Sequence, residues 1–391
     1  MNNQIEDQKR IVSLDVMRGF ALLGILLANS LAFQFGMLGT YEPVDGMYQL
    51  GDLDRWTHFF IRLLVDGSFI TLFSFLFGYG MSLQKLRITN YTPVFWRRTS
   101  LLLLFGLLHL FLIWRGDILL GYSLAAMVLF AFLFLSTRSL LISNIIWFLI
   151  MALFVLVPDI GNTSAPYYYL AEQNVITEGT YIDHILFRLT HDLLGISTGN
   201  GFLFLIGEFV YQFNTILVVM PMFLLGAYAA RKKWFVAPSS HLRLFKICLP
   251  IALIVGMAAK LPNAITGGSN TQLESLSVFI GAPALALFYA GMIAIIVDKT
   301  GSKRFAPLAA VGRMAFTNYI SQSVCFTFFF YGYGLGFFSE LGIFYGALLS
   351  LAFFTVQLIA SLLWLRWFKM GPLEWLWRAG TYLRLPKMKR Y

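Results

Sequence analysis

Charge is what this sequence has least of. Only 12% of its 391 residues are charged, against 58% that are hydrophobic, and its mean hydropathy is +0.73. A soluble domain carries about 25% charged residues, so a water-soluble enzyme or signalling domain is excluded. Cysteine is nearly absent. Cys248 and Cys325 both lie inside apolar runs, which leaves no disulfide framework and no CxxC metal site. The five histidines, His58, His109, His184, His191 and His241, show no HExxH or similar ligand spacing, so no metal centre is expected. The opening MNNQIEDQKR is mixed in charge, and the apolar stretch behind it has no small-residue cleavage pattern. It does not read as a cleavable leader.

What the sequence has is long apolar runs. A bilayer-spanning helix needs about 20 residues, and runs of that kind fall near 14–35, 58–83, 99–115, 118–136, 139–158, 202–230, 246–264, 274–297, 312–334 and 341–367. The expected fold is all-α, a single polytopic transmembrane bundle of about ten spans. The net charge of +10 does not point to nucleic acid, because the basic residues sit in short clusters between spans. Lys85, Arg97 and Arg98, then Arg231 to Lys233, then Lys299 to Arg304, and the tail 368–391 fall in every second loop. The positive-inside rule therefore places both termini in the cytoplasm. One outer loop is long, 159–201, and carries YIDHILFRLTHDLLGI. Ile182, Leu186, Leu189 and Leu193 share one helical face, while Asp183, His184, His191 and Asp192 lie off it as a solvated face. That pattern predicts an amphipathic helix on the outer membrane surface or capping the bundle.

Ionisable groups inside a span are costly when unpaired and mark functional positions. The first span holds Asp15, Arg18 and Asn29. Asp15 lies one turn from Arg18 and is its natural partner, although Arg18 near the interface is also placed to snorkel. The second holds Arg62 and Asp66 at i, i+4, which serves structure or substrate equally well. Its FLFGYGMS segment puts Gly78 and Gly80 where helices pack closely. In the third, TSLLLLFGLLHLFLIWRGDILLGY, His109 lies about 15 Å from the cytoplasmic end. A histidine so deep either donates one interhelical hydrogen bond or acts as a general base. The hairpin behind it carries Arg115, Asp117 and Tyr122, and Asp117 is placed to orient a substrate or to pair with Arg115. Glu208 in the sixth span, with Asn318 and Gln322 in the ninth, either lines a cavity or glues helices together.

Four blocks, SLDVMRGFALLGILLAN, GLLHLFLIWRGDILLGY, GRMAFTNYISQS and GPLEWLWR, resemble the YeiB-like family, bacterial membrane proteins ending in a domain of unknown function. They occur in family order and cover nearly the whole chain. That family is grouped with transmembrane acyltransferases such as heparan-alpha-glucosaminide N-acetyltransferase, whose first span Asp15, Arg18 and Asn29 match. The resemblance implies a multi-pass protein of the bacterial plasma membrane. It implies transfer of an acyl group from cytoplasmic acyl-CoA or acetyl-CoA to an outer acceptor, often a sugar. On that footing Arg18, Arg98 and Arg313 would meet the CoA phosphates, His109 would be the base and Asn29 would steady the oxyanion. Arg62, Asp66, Arg115, Tyr122, Glu208, Asn318 and Gln322 would line the small-molecule substrate site. The acetyltransferase carries its histidine just after the matched asparagine. Here SLAFQFGMLGTYEP has none, so either His109 takes that role or this branch does other chemistry. A transporter or flippase for a small amphiphile uses the same polar lining. The aromatic content of 17% leaves room for a lipid-filled homodimer interface.

Overall fold

The computed structural model describes residues 10–37, 50–154, 165–194 and 201–390. The start of the long outer loop, 159–164, and the stretch 38–49 behind the first span lie outside the described residues. Among those described the chain is helical, with no strand beyond one isolated bridge between Phe368 and Lys389. The helices are α1 (Val12–Phe35), α2 (Asp52–Phe60), α3 (Ser68–Arg87), α4 (Tyr91–Leu108), α5 (Leu119–Phe132), α6 (Thr137–Phe154), α7 (Ala165–Glu178) and α8 (Tyr181–Thr190). They continue with α9 (Gly201–Arg231), α10 (Leu242–Ile265), α11 (Thr271–Leu276), α12 (Ala282–Thr300), α13 (Ala306–Arg313), α14 (Ala315–Phe330), α15 (Gly342–Trp367) and α16 (Pro372–Tyr382).

Helix is the conformation that satisfies every backbone group without water, which is why apolar runs of this length adopt it. The protein is an all-α membrane bundle: among the described residues seven helical stretches are long and apolar enough to cross a bilayer. As far as the described residues reach, which in the 139–158 run is residue 154, each expected run coincides with helix, but not always with a full span. The 118–136 run yields α5, whose 14 residues reach about 21 Å, short of the ~30 Å hydrocarbon core.

Two runs expected to be continuous are interrupted. The 58–83 run breaks at Asp66 and Gly67, where Gly67 takes φ +66, a conformation that Asp-Gly pairs favour. The freed carbonyls find new donors: Lys260 Nζ reaches the Asp66 carbonyl at 2.6 Å and the Tyr289 hydroxyl reaches that of Leu64 at 2.9 Å. The 312–334 run breaks at Met314, between α13 and α14. Among the described residues three single turns are wound as π-helix, Ile61–Val65, His109–Ile113 and Ser277–Gly281. Such turns recur at functional sites.

Among the described residues the most extensive helix pairing is between α3 and α9. A Cβ on Gly78 would stand 2.1 Å from the Phe223 carbonyl, and one on Gly226 would stand 2.0 Å from that of Phe75. Small residues let two backbones approach this closely. Gly80 does not share the role, since its nearest neighbour would be Arg18 at 3.7 Å.

Helix α8 starts with a capping box between Thr180 and Asp183. Ile182, Leu186 and Leu189 are exposed, whereas His184 and Arg188 on α8 and Asp192 just beyond it are buried against the bundle. Of the solvated face expected from the sequence, His184 and Asp192 thus turn inward, while Asp183 is exposed and His191 half-buried. In a protein surrounded by lipid, the apolar stripe is the one left outside.

Candidate active site

The site is built where α4 ends. Helix α4 runs into the π turn that begins at His109, the chain reverses through Trp114 to Ile118, and α5 departs. This reversal brings Asp117 back over His109. Nδ1 of His109 stands 2.9 Å from Oδ1 of Asp117, and the side chains are 1% and 0% exposed. The contact is at ion-pair distance, with the carboxylate off the line of an aligned hydrogen bond. The other carboxylate oxygen, Oδ2, accepts the backbone N–H of Leu120 at 2.7 Å and so caps the first turn of α5. Nε2 of His109 has no protein partner. The Tyr319 ring from α14 lies 5.3 Å from the imidazole, centre to centre. Its hydroxyl spans the turn between the Ile118 N–H and the Gly116 carbonyl, 3.4 Å from each.

Arg115 does not pair with Asp117. It forms an ion pair with Glu208 of α9 and donates to the Arg188 carbonyl at 3.0 Å. Arg188 in turn donates to the carbonyls of Phe111 and Ile113 at 2.9 and 3.1 Å, and the Tyr181 hydroxyl to that of Leu112 at 2.7 Å. Those carbonyls are the orphan acceptors at the end of a helix. Helix α8 is therefore docked by its polar face onto the turn that carries His109. Above it, Glu172 of α7 accepts the Met37 N–H at 3.0 Å. Burial pushes the Glu172 carboxyl up to about 7 and the His184 imidazole down to about 4.

At the other end of α4 lies a group of arginines. Asp15 binds Arg10 and Arg18, the latter at 3.0 Å, as the one-turn spacing predicts. Arg98 lies 3.8 Å over the Trp377 ring, whose indole donates to the Arg98 carbonyl at 2.9 Å. Arg313 donates to the Lys369 carbonyl at 2.9 Å. Arg378 of α16 is within electrostatic reach of Arg18, Arg98 and Arg313, and Arg10 and Arg390 are within reach of Arg313. The three arginines singled out in the sequence thus share one end of the bundle with both described chain ends. Helix α16 is fixed there by Glu374, which accepts the N–H groups of Phe316 and Thr317 at 2.7 and 3.1 Å and the Thr317 hydroxyl at 2.6 Å.

The remaining sequence candidates go elsewhere. Arg62 is buried and turns its Nε to His58 at 3.0 Å. It makes no ion pair with Asp66, because the helix unwinds there and the i, i+4 register is lost. Tyr122 is held by Ser74 at 2.6 Å and donates to the Ile70 carbonyl at 2.8 Å, fixing α5 to α3. Asn318 bonds Ser361 at 3.0 Å and Gln322 bonds Gln357 at 2.8 Å. Their ninth-run polarity is interhelical glue between α14 and α15. Asn29 is half-buried on α1, and no described hydrogen bond joins it to His109. Tyr319, Glu172, Arg188 and Glu374 were not found by sequence reasoning. Glu374 lies within the GPLEWLWR block and Tyr319 within GRMAFTNYISQS, which was the available signal.

The profile of a family described as a protein of unknown function (DUF418) matches residues 229–384. That segment contains the α13–α16 assembly, while the His109–Asp117 pair precedes it. Over 396 residues the chain is 33% identical to the uncharacterized protein YxaH of Bacillus subtilis (strain 168), covering 96% of this chain and 95% of that one. It is 30% identical over 386 residues to an uncharacterized protein in the amylase 3′ region of Bacillus acidopullulyticus, covering 96% and 95%. It is 29% identical over 394 residues to the uncharacterized protein YeiB of Escherichia coli (strain K12), covering 95% and 96%.

Proposed function

Because this chain belongs to the YeiB-like family, we propose that it is an acyl-CoA-dependent acyltransferase of the bacterial plasma membrane. In this reading ten spans keep both termini in the cytoplasm. An acyl group leaves acyl-CoA or acetyl-CoA at the arginine-rich end and reaches a sugar or other envelope component outside. The observation that carries the reading is the buried His109–Asp117 pair with Nε2 of His109 left free. Arg98 and His109 are 11 residues apart on one helix, about 16 Å along its axis, a span suited to the extended pantetheine arm of CoA. At the basic end Nε of Arg97, Arg98 and Arg313 are buried without partners, as phosphate donors awaiting an anion would be. His109 takes the proton of the acceptor hydroxyl or amine as the acyl–acceptor bond forms, the thioester bond breaks, and the CoA thiolate leaves. Asp117 steadies the imidazolium.

The test is native mass spectrometry of the detergent-purified protein with CoA, acetyl-CoA and long-chain acyl-CoAs. Saturable binding of one of them, weakened in Arg18→Ala and Arg98→Ala, is the expected result. Binding of none removes the transferase reading.

A second reading, transport or flipping of a small amphiphile, draws on the interruption at Asp66 and Gly67. Transporters bind substrate at discontinuous spans whose unwound backbone lines the site. Flux into proteoliposomes without any acyl-CoA would select it.

A further inference from the structure

A second polar centre lies just beyond the His109–Asp117 pair. Arg115, Tyr168, Glu172, His184, Arg188 and Tyr331 are among the residues that enclose a cavity of about 20 Å³, room for one water-sized group. Besides the Trp114 indole Nε1, four atoms of that wall have no hydrogen-bond partner in the protein: Arg115 Nε, Tyr168 Oη, His184 Nε2 and Arg188 Nη2. All four side chains are at least nine-tenths buried, with exposures of 4%, 1%, 3% and 4%. Native interiors hold few unpaired polar atoms, because each forfeits its bonds to water without replacement. Four facing one small space point to a group that is bound there.

The charge of that group follows from its neighbours. Arg115 is matched by Glu208. Arg188 spends Nε and Nη1 on backbone carbonyls, and among the described residues no carboxylate pairs with it. Glu172 is the acid on the wall, and it is already held by the Met37 N–H. Its carboxyl, raised to about 7 by burial, is only partly ionised at neutral pH, so the wall as a whole is cationic. The room admits one water-sized oxygen, which a carboxylate can insert and a bulkier tetrahedral anion cannot.

We propose that this cavity is an oxyanion subsite that receives the carboxylate of a small acidic acceptor, such as a sugar acid, with Arg188 Nη2 and Tyr168 Oη as its donors. The word acceptor rests on the transferase reading; the anion site itself does not. Trp114 and Arg115 of its wall belong to the chain reversal that directly follows the His109–Ile113 turn.

Thermal unfolding of the full-length protein in detergent, at constant ionic strength, tests this with D-glucuronate, D-glucose and inorganic phosphate as probes. Glucuronate is expected to raise the melting temperature saturably, and glucose to leave it unchanged. Tyr168→Phe removes a hydroxyl that bonds nothing in the protein. It should leave the ligand-free melting temperature in place and raise the half-saturating glucuronate concentration about tenfold. No response to glucuronate, an equal response to glucose, or a response to phosphate alone would overturn the assignment. So would a Tyr168→Phe protein that melts lower without ligand yet responds to glucuronate as before, which would mean that the cavity holds only water. Native mass spectrometry of the same preparation separates the two readings. Glucuronate binding without acyl-CoA binding keeps the subsite and retires the transferase; acyl-CoA binding without an anion response does the reverse.

Discussion

Asp117 faces His109 with one carboxylate oxygen, 2.9 Å from Nδ1, and caps α5 with the other, 2.7 Å from the Leu120 N–H. A single side chain therefore couples the geometry of the imidazole to the start of the next helix. His109→Ala should lower acyl transfer by about 10²–10⁴-fold without unfolding the protein. Asp117→Asn keeps an acceptor for the cap and loses the charge, so turnover should fall with little change in melting temperature. Asp117→Ala should lose the cap as well, at about 1 kcal/mol. Turnover and melting measured on the same three variants separate the two jobs.

Glu172 and His184 give opposite pH dependences to stability. With its carboxyl raised from 4.5 to about 7, folded Glu172 favours the proton, so its contribution is greatest at low pH and is lost as pH rises through that interval. His184, lowered from 6.5 to about 4, contributes above 6.5 and loses that contribution as pH falls towards 4. Glu172→Gln removes the first slope and keeps an acceptor for the Met37 N–H. The variant's melting temperature, relative to the parent, should climb between pH 4.5 and 7 and then level. A difference that stays constant with pH would sink the assignment.

Glu374 closes two backbone N–H groups and one hydroxyl at the start of α14. Glu374→Ala strands those donors at a buried helix end, and a stranded group costs roughly 1–3 kcal/mol. Glu374→Gln retains an acceptor and should lose less. Denaturation of both variants in the same detergent gives the order directly.

Gly78 and Gly80 are two residues apart and should respond differently to alanine. At Gly78 the new methyl meets the Phe223 carbonyl at 2.1 Å, so α3 and α9 must separate, at a cost of about 1–3 kcal/mol. At Gly80 the nearest atom is 3.7 Å away, and the change should be neutral or slightly stabilising. Equal effects at both positions would contradict the close approach of the two backbones.

The reach of the sequence can be judged residue by residue. Hydropathy located the long apolar helices, because burying backbone polar groups in lipid leaves helix as the one local solution, but not α7 or α16, which lie in the outer loop and the basic tail. It also found Asp15 with Arg18, since i, i+3 neighbours on a helix need no tertiary information. It placed the break at Asp66 and Gly67 inside a span, although Asp-Gly is a turn pair, because the apolar window averaged over it. Met314 offered no such signal; its break is imposed by the packing of α13 on α1 and of α16 on α14. The pairing of Asp117 with His109 rather than Arg115 depends on how the chain reverses from Trp114 to Ile118, which spacing alone does not encode. The inward face of α8 was misread for a different reason. A period of 3.6 residues tells that two faces differ, not which of them meets water and which meets lipid.

The clamp at the arginine-rich end has a consequence for the order of events in synthesis. The α14 N-terminus lies some sixty residues ahead of the carboxylate that closes it. Chains are built from the N-terminus at about 5–20 residues per second, so α13 and α14 enter the bundle with their junction still open. The arginine pocket is completed only once Glu374 and Trp377 have left the ribosome. A nascent chain that has not yet reached Trp377 therefore lacks the floor of its own basic site.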